Sequence, residues 1–283
     1  MNIGIVGLGL IGGSLGLDLR ALGHQVLGVS RQERTCQVAI DRGVVDDASV
    51  NLTLLAAADV VFICTPIGQI ASMVQQLIPH LSPNAILTDV GSVKTPVVEA
   101  VTPLWLNFVG GHPMAGREYS GIEAAVSGLF AGNPYVLTPI ETTPPEAVKV
   151  VEQIVRSLTS NVYFCHPADH DQAVAWISHL PVMVSASLIH ACGSETDPVV
   201  LELLQQLASS GFRDTSRVGG GNPELGVMMA RYNREFLWRS LLNYRQSLDQ
   251  LIELIDQENW KGLEQRLQET QAQRSQFHLK ADD

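Results

Sequence analysis

Asn2-Ile3-Gly4-Ile5-Val6 runs directly into Gly7-Leu8-Gly9-Leu10-Ile11-Gly12, and this junction decides the fold. The first run reads as a buried strand, and the glycine pattern opens the first helical segment. Gly7 permits a tight turn, Gly9 lets the backbone approach a pyrophosphate, and Gly12 allows the helix to pack closely on the strand. The helix N-terminus then offers free N–H groups and partial positive charge to phosphates. A G-x-G-x-x-G alone is a weak signal. In this strand–turn–helix setting it predicts a dinucleotide site, with Gly7, Gly9, Leu10, Ile11 and Gly12 at the phosphates.

Beyond the junction, β-rich runs alternate with amphipathic segments. Strands are predicted at 2–6, 25–30, 60–64, 85–89, 108–110, 135–138 and 161–165, and helices at 10–22, 69–80, 95–102 and 146–158. Thr143 and Glu146 have the spacing of a capping box, and Pro145 suits a first helical turn. Alternating units with continuous Val/Ile runs imply an α/β domain, a Rossmann-type doubly wound parallel sheet covered on both faces. After about Ala168 strand-like runs vanish. The reading is a dinucleotide-binding domain over 1–168 and an all-α substrate and dimerisation domain over 169–283.

Residues 171–192 are apolar nearly all round, through Val174, Trp176, Ile177, Leu180, Val182, Met183, Val184, Leu188 and Ile189. A helix of that kind is expected to be buried on every side, and Pro181 to kink it by removing the hydrogen bond to the Ile177 carbonyl. Leu237, Leu241, Tyr244, Leu248, Leu251 and Ile255 recur at helical spacing, an apolar seam for a partner helix. So small a second domain cannot easily enclose the 171–192 helix alone, which points to a homodimer; a compact monomeric bundle is the alternative. Past Glu269 the chain turns polar and is expected to fray.

Composition narrows the function classes. Apolar residues make up 46% and charged residues 17% of the 283, which excludes a disordered chain. Lys plus Arg number 18 against 29 Asp plus Glu, a net charge of −11, so nucleic acid is not an expected partner. No apolar run reaches the roughly 18–20 residues of a bilayer span, and no basic leader of the signal-peptide kind precedes the first strand. Cys36, Cys64, Cys165 and Cys192 are widely spaced, and no Asp/His/Cys cluster has ligand spacing. Neither a disulfide framework nor a metal is expected, and the expected setting is the cytoplasm.

The second strand leads into Ser30-Arg31, where an NAD site usually places Asp or Glu for the ribose 2′-hydroxyl. Ser30, Arg31 and Thr35, with Arg34 beside them, suit a 2′-phosphate, so NADP is the predicted cofactor; the alternative is a solvated Arg31 and tolerance of both. Cys64-Thr65-Pro66 follows the third strand and is placed to flank the cofactor. Ser92, after the fourth, is either a helix N-cap or a hydroxyl facing nicotinamide and substrate. His112, in Gly110-Gly111-His112-Pro113, falls on a rigid turn just past a strand, placed to take a hydroxyl proton as hydride leaves the same carbon. Glu118 follows, suited to orient a polar group or bind a cation. His179 precedes Pro181 and reads equally as a functional or a core histidine. Gly211-Phe212-Arg213-Asp214-Thr215-Ser216-Arg217 reads as a loop whose arginines either hold a carboxylate or are simply solvated.

Together the glycine fingerprint, Asp89-x-Gly-Ser-x-Lys94, Gly111-His-Pro-Met-Ala-Gly116, Ser178-His-Leu-Pro181 and Gly211-Phe-Arg-Asp-x-x-Arg217 resemble the prephenate/arogenate dehydrogenase family of tyrosine biosynthesis. The resemblance covers nearly the whole chain and is nearest the NADP-dependent arogenate dehydrogenases. It implies oxidative decarboxylation of L-arogenate to L-tyrosine with hydride transfer to NADP+. It implies His112 as the catalytic histidine, Ser92 as the group that orients it, and His179 and Arg217 at substrate carboxylates. Glu118 would lie near the pocket mouth, Asp214 would support the arginine segment, and the C-terminal helices would form an intertwined homodimer. The stretch Pro223-Glu224-Leu225-Gly226-Val227 departs from some relatives in lacking a tryptophan. The alternatives are a prephenate or broad cyclohexadienyl dehydrogenase, another two-domain reductase of the β-hydroxyacid dehydrogenase type, or a non-enzymatic NADP(H) sensor.

Overall fold

The computed structural model describes residues 1–117 and 119–277; Glu118 lies outside the described residues. Strand β1 (Asn2–Val6) pairs in parallel with β2 (Gln25–Val29) on one side and β4 (Val60–Ile63) on the other. With β3 (Asp47–Ser49), β5 (Ile86–Asp89), β6 (Phe108–Pro113), β7 (Pro134–Thr138) and β8 (Asn161–Phe164) they form an eight-stranded sheet in the order β3-β2-β1-β4-β5-β6-β7-β8. The chain winds outward from β1 to β3, then returns to lay β4 on the other side. That reversal opens a crevice at the carboxyl ends of β1 and β4.

Alternation along the buried strands supplies both sheet faces. Ile3, Ile5, Val26 and Phe62 pack with Leu15 and Leu19 of α1 (Leu10–Ala21), Ala39 of α2 (Glu33–Asp41) and Ile154 of α5 (Pro145–Ser157). On the other face Val6, Val61 and Ile63 meet Ile70 and Val74 of α3 (Ile70–Leu77) and Val97 and Val101 of α4 (Thr95–Val101). Each fully buried Leu, Ile or Phe contributes about 1.5–3 kcal/mol to holding the layers together.

The structure departs from the sequence reading in several places, the unpredicted edge strand β3 among them. β6 pairs antiparallel with β7: among its described residues the connection between them holds a 3₁₀ turn at Ile122–Ala124 and no crossover helix. β6 also runs on to Pro113, so His112 stands within the strand, opposite Val136, and not on a turn after it. The capping box does not form: α5 starts at Pro145 with Pro144 at its N-cap, and Thr143 Oγ1 accepts a bond from the Ile140 N–H at 3.0 Å.

From Pro167 the chain is helical. α6 (Pro167–Val174) passes through a π-helical turn at Ala175–His179 into α7 (Leu180–Gly193), whose first turn holds Pro181. The break expected from the proline thus takes the form of a widened turn just before it. Contrary to the sequence reading, Pro167–Gly193 is long and apolar enough to cross a bilayer, at 27 residues and mean hydropathy 1.4. Its first part carries the buried His170, Asp171 and His179 with their polar partners, whereas α7 buries only Leu180 and Ser185 in the single chain. Nor is it buried all round: Trp176 is 42% and Ile177 57% exposed in the single chain.

α8 (Pro198–Leu207), α9 (Ser210–Ser216), a 3₁₀ turn at Arg217–Gly220 and α10 (Pro223–Tyr232) follow, so the stretch read as an arginine loop is helical. Residues Met1–Arg234 form one compact unit and the chain from Glu235 a second. In the second, α11 (Arg234–Asp256) turns back into α12 (Trp260–Arg274), with Arg266 donating to Gln250 at 3.3 Å. The polar tail expected to fray past Glu269 stays helical to Arg274.

Candidate active site

A cleft of about 560 Å³ opens where the strand order reverses. Gly7 and Gly9 form one wall, and Ser30, Arg31, Arg34 and Thr35 lie beyond β2. Cys64, Thr65 and Pro66, beyond β4, complete the parts foreseen from the sequence. Gly7 has φ +99° and its backbone lies so close to Cys64 that a Cβ would meet the Cys64 carbonyl at 2.6 Å. Only glycine fits there. A Cβ on Gly12 would collide with the Gly7 carbonyl, which explains the third glycine. α1 has no acidic residue in its first turn and no side chain capping it, so its N–H groups remain available to an anion. Leu10, Ile11 and Gly12 belong to that first turn and are not on the cleft wall, and neither is Ser92. Thr65 Oγ1 is buried with no hydrogen-bond partner among the described residues. The cleft therefore fits a pyridine dinucleotide: glycine backbone and a helix start for the pyrophosphate, a hydroxyl and guanidinium groups for the far ribose. Among the lining side chains, Glu123 is the carboxylate, and it comes from the β6–β7 connection.

The parallel ladder between β5 and β6 ends at Thr88 and Val109, and side chains take over from it. Asp89 Oδ1 accepts from the Gly111 N–H at 3.1 Å, while Asp89 Oδ2 pairs with Lys94 Nζ and accepts from the Gly91 N–H at 2.8 Å. Lys94 Nζ donates in turn to the Gly111 carbonyl at 2.6 Å. Both partners of the ion pair are 0% exposed. Desolvating two charges costs several kcal/mol, and the bonds to Gly111 help offset it. The pair clamps the residue preceding His112. Burial pushes the Lys94 ammonium below its ordinary pKa, and Asp89 opposes that shift.

His112 Nδ1 lies 2.8 Å from His170 Nε2, with the rings edge to face, and His170 Nδ1 lies 2.8 Å from Asp171 Oδ1. Asp171 also caps α4 from 77 residues away: Oδ1 accepts from the Lys94 N–H at 2.6 Å and Oδ2 from the Thr95 N–H at 2.8 Å. Burial alone would raise the Asp171 carboxyl, but hydrogen bonds from His170, Lys94 and Thr95 outweigh it and hold the group below the usual carboxylate range. Burial drives His112 well below the ordinary histidine value, and His170, Lys94 and His179 add to the shift. His112 is thus an unprotonated imidazole at neutral pH.

Two predicted residues carry unpartnered atoms. Because Asp171 caps α4, Ser92 does not, and the N-cap alternative for it falls away. Ser92 Oγ is buried with no partner among the described residues, and Ser92 lies between Asp89 and Lys94, the two groups that hold Gly111. His179, fully buried in the π turn, faces the Asn233 amide through Nδ1 at 3.1 Å and leaves Nε2 without a partner among the described residues. Burial pushes its pKa down to about 4. A buried polar atom left unbonded costs about 1–3 kcal/mol, a cost that a substrate hydroxyl or carboxylate would remove.

Asp214 lies on α9 and Arg217 opens the turn after it, on elements other than those that carry His112, His170 and His179. Arg217 opens the 3₁₀ turn that packs on α7, where the Gly219 N–H donates to Ser185 Oγ at 2.8 Å, roughly 9 Å of helix rise beyond His179. Asp214 pairs with Arg213 at 2.9 Å, both largely exposed. The cluster instead contains five residues to which sequence reasoning gave no role: Asp89, Lys94, His170, Asp171 and Asn233. Adjacent His170-Asp171 near a helix start was a signal of sorts; nothing singled out Asn233.

Residues 15–164 match the prephenate dehydrogenase nucleotide-binding domain and 166–269 the prephenate dehydrogenase dimerization domain. The chain is 31% identical to the prephenate dehydrogenase of Bacillus subtilis, over 92% of this chain and 71% of that protein. It is 56% identical to the crystal structure of Synechocystis arogenate dehydrogenase, which it matches with a TM-score of 0.87 over 98% of this chain and 99% of that one. A prephenate dehydrogenase from A. aeolicus, crystallised with hydroxyphenyl propionate and NAD+, is 29% identical with a TM-score of 0.92, each chain covered to 98%. The match of its two parts, in order, to the two domains, in a chain with a glycine-walled cleft and a buried histidine, makes this protein a member of the prephenate dehydrogenase family, which takes in the arogenate and cyclohexadienyl dehydrogenases.

Proposed function

We propose that the protein oxidatively decarboxylates L-arogenate to L-tyrosine with NADP+ as hydride acceptor. The observation that carries the cofactor choice is the rim beyond β2, where Ser30, Arg31, Arg34 and Thr35 line the cleft and the usual ribose-binding carboxylate is missing. A guanidinium and hydroxyls suit a 2′-phosphate. Support for arogenate comes from the 56% identity to an arogenate dehydrogenase over nearly the full length of both chains.

A nicotinamide dinucleotide bound in the cleft accepts the hydride from the substrate carbon that bears the hydroxyl. His112 accepts the hydroxyl proton, which its low pKa leaves it free to do at neutral pH. Ser92 Oγ hydrogen-bonds the same hydroxyl. Loss of CO2 from the opposite ring carbon aromatises the ring, and His112 returns its proton to the phenolate oxygen. His179 Nε2 and Arg217 bind substrate carboxylates, with Glu118 and Asp214 acting at the pocket mouth and on the arginine segment. Two copies pair through the apolar residues that one chain leaves exposed, among them Ile177, Leu203, Leu207 and Leu248. All four cysteines are free thiols, in keeping with a cytoplasmic enzyme.

The test is reduced-cofactor formation with arogenate and prephenate, each with NADP+ and NAD+. Turnover with arogenate and NADP+ far above the other three combinations is expected. Equal rates with prephenate would make the enzyme a broad cyclohexadienyl dehydrogenase, and equal rates with NAD+ would return Arg31 to a solvated side chain.

A further inference from the structure

We propose that His170 and Asp171 form with His112 a hydrogen-bonded relay that fixes His112 as its Nδ1–H tautomer, leaving Nε2 bare to act as the base. The inference rests on the dehydrogenase reading of His112 but is argued from the bonds alone. A carboxylate only accepts hydrogen bonds, and Asp171 Oδ1 lies 2.8 Å from His170 Nδ1, so that nitrogen carries its proton. In the neutral ring the proton on Nδ1 leaves Nε2 as an acceptor. His112 Nδ1, 2.8 Å away, must then be the donor, and His112 Nε2 holds the lone pair. This tautomer is the minority form of a free histidine side chain, so the relay does chemical work by selecting it.

Asp171 is itself fixed by structure and not by solvent. The Lys94 and Thr95 N–H groups at 2.6 and 2.8 Å hold its two oxygens, and the Asn233 amide donates to its main-chain carbonyl at 2.8 Å. The same amide reads the tautomer of the neighbouring histidine. Its nitrogen is identified by the Asp171 carbonyl, which can only accept, and its second proton points to His179 Nδ1 at 3.1 Å. His179 is therefore the opposite tautomer, a donor through Nε2. The site holds one imidazole that takes a proton and one that offers a hydrogen bond, and Asp171 and Asn233 set which is which. When His112 Nε2 gains the hydroxyl proton, the positive ring stays bonded through Nδ1–H to His170, whose far side faces the Asp171 carboxylate. The charge formed in the buried site is thereby stabilised until the proton returns to the product oxygen. His170 and Asp171 are positioning residues, acting through His112.

The test combines a spectroscopic and a kinetic readout on the whole protein. In ¹⁵N-histidine-labelled enzyme at pH 8, with His112 assigned by its loss in His112→Asn, the expected signature is a protonated Nδ1 and an unprotonated Nε2. His170→Asn keeps a donor toward Asp171 but removes the acceptor for His112. It is expected to abolish the single tautomer and lower kcat about 10²-fold with substrate and cofactor KM within threefold. His170→Gln places an amide oxygen where Nε2 stood, and is expected to restore kcat to within tenfold of wild type. The proposal is overturned if wild-type His112 carries its proton on Nε2, or if His170→Asn leaves tautomer and kcat within twofold of wild type. It also fails if both His170 variants lose activity equally while raising KM in proportion, the pattern of a purely structural residue. Should His170→Asn not fold, the wild-type spectrum and His170→Gln still decide. An Nδ1–H signature in an enzyme that turns over neither substrate would refute the arogenate and prephenate reading while upholding the relay.

Discussion

Two histidines sealed in the site in neutral form make the fold sensitive to mild acid, by an amount that can be worked out for His179. Its pKa moves from an ordinary 6.5 to about 4 because burial penalises the charged ring, a shift that the nearby Asp171 carboxylate only partly opposes. The folded value is depressed below the unfolded one. In the unfolded chain the ring therefore protonates first as pH falls, and stability drops from about pH 6.5 down to about pH 4. At about 1.36 kcal/mol per unit, the roughly 1.5 units between 6.5 and pH 5 amount to about 2 kcal/mol from this one group. His179→Asn keeps an acceptor for the Asn233 amide and removes the titration. Urea unfolding at pH 7.5 and pH 5.0, at one fixed protein concentration so that association does not intrude, compares each protein with itself. Wild type is expected to lose about 2 kcal/mol more than His179→Asn over that interval. Equal losses, within about 0.5 kcal/mol, would show that His179 is solvated or charged in the folded protein and would refute its role as a neutral Nε2–H donor.

Arg31→Ala is expected to raise KM for NADP+ about tenfold and leave KM for NAD+ within twofold, since an exposed charge-assisted bond to phosphate contributes about 1.5 kcal/mol. An equal rise for both cofactors in steady-state assays would show that no 2′-phosphate meets this side chain. Asp171→Asn is expected to destabilise the protein by about 2–4 kcal/mol at pH 7, through the loss of the α4 cap and of the charge facing His170. Because the folded pKa of Asp171 lies below its unfolded value, the wild-type advantage is full above about pH 4 and fades as pH falls through the lowered folded value; a gap unchanged down to pH 2.5 would contradict the assignment.

What could be read from the sequence followed from local pattern. The β1–glycine junction was readable because a period-2 strand, a positive-φ glycine and a helix start all fall within a dozen residues. β3 escaped because Asp47-Ala48-Ser49 has neither length nor β-branched content, and it exists only by pairing with β2. The capping box failed because two prolines set the start of α5 without help from Thr143. The 171–192 helix was expected to be buried on every side from its apolar composition, but one chain does not cover it, and Trp176 and Ile177 stay open. His112 was singled out by its glycine–proline setting, whereas the groups bonded to it were not, since His170 lies 58 residues away and its own partner becomes meaningful only once α4 starts beside it.

That long separation bears on how the site is built. The proposed base stands on β6, and the residues proposed to orient it stand at the start of the helical part, on α6. Asp171 joins the two by one carboxylate that caps α4 and holds His170, so the contact that docks the helices on the sheet is also the contact that sets the base. Lys94 shows the same economy from the other side: its main-chain N–H meets Asp171 while its ammonium, paired with Asp89, holds Gly111 in front of His112. A change that loosens the docking of α6 should therefore cost turnover before it costs dinucleotide binding, because the cleft walls at Gly7, Ser30 and Thr65 belong to the sheet alone. Stability and chemistry are separable at the cofactor and inseparable at the base.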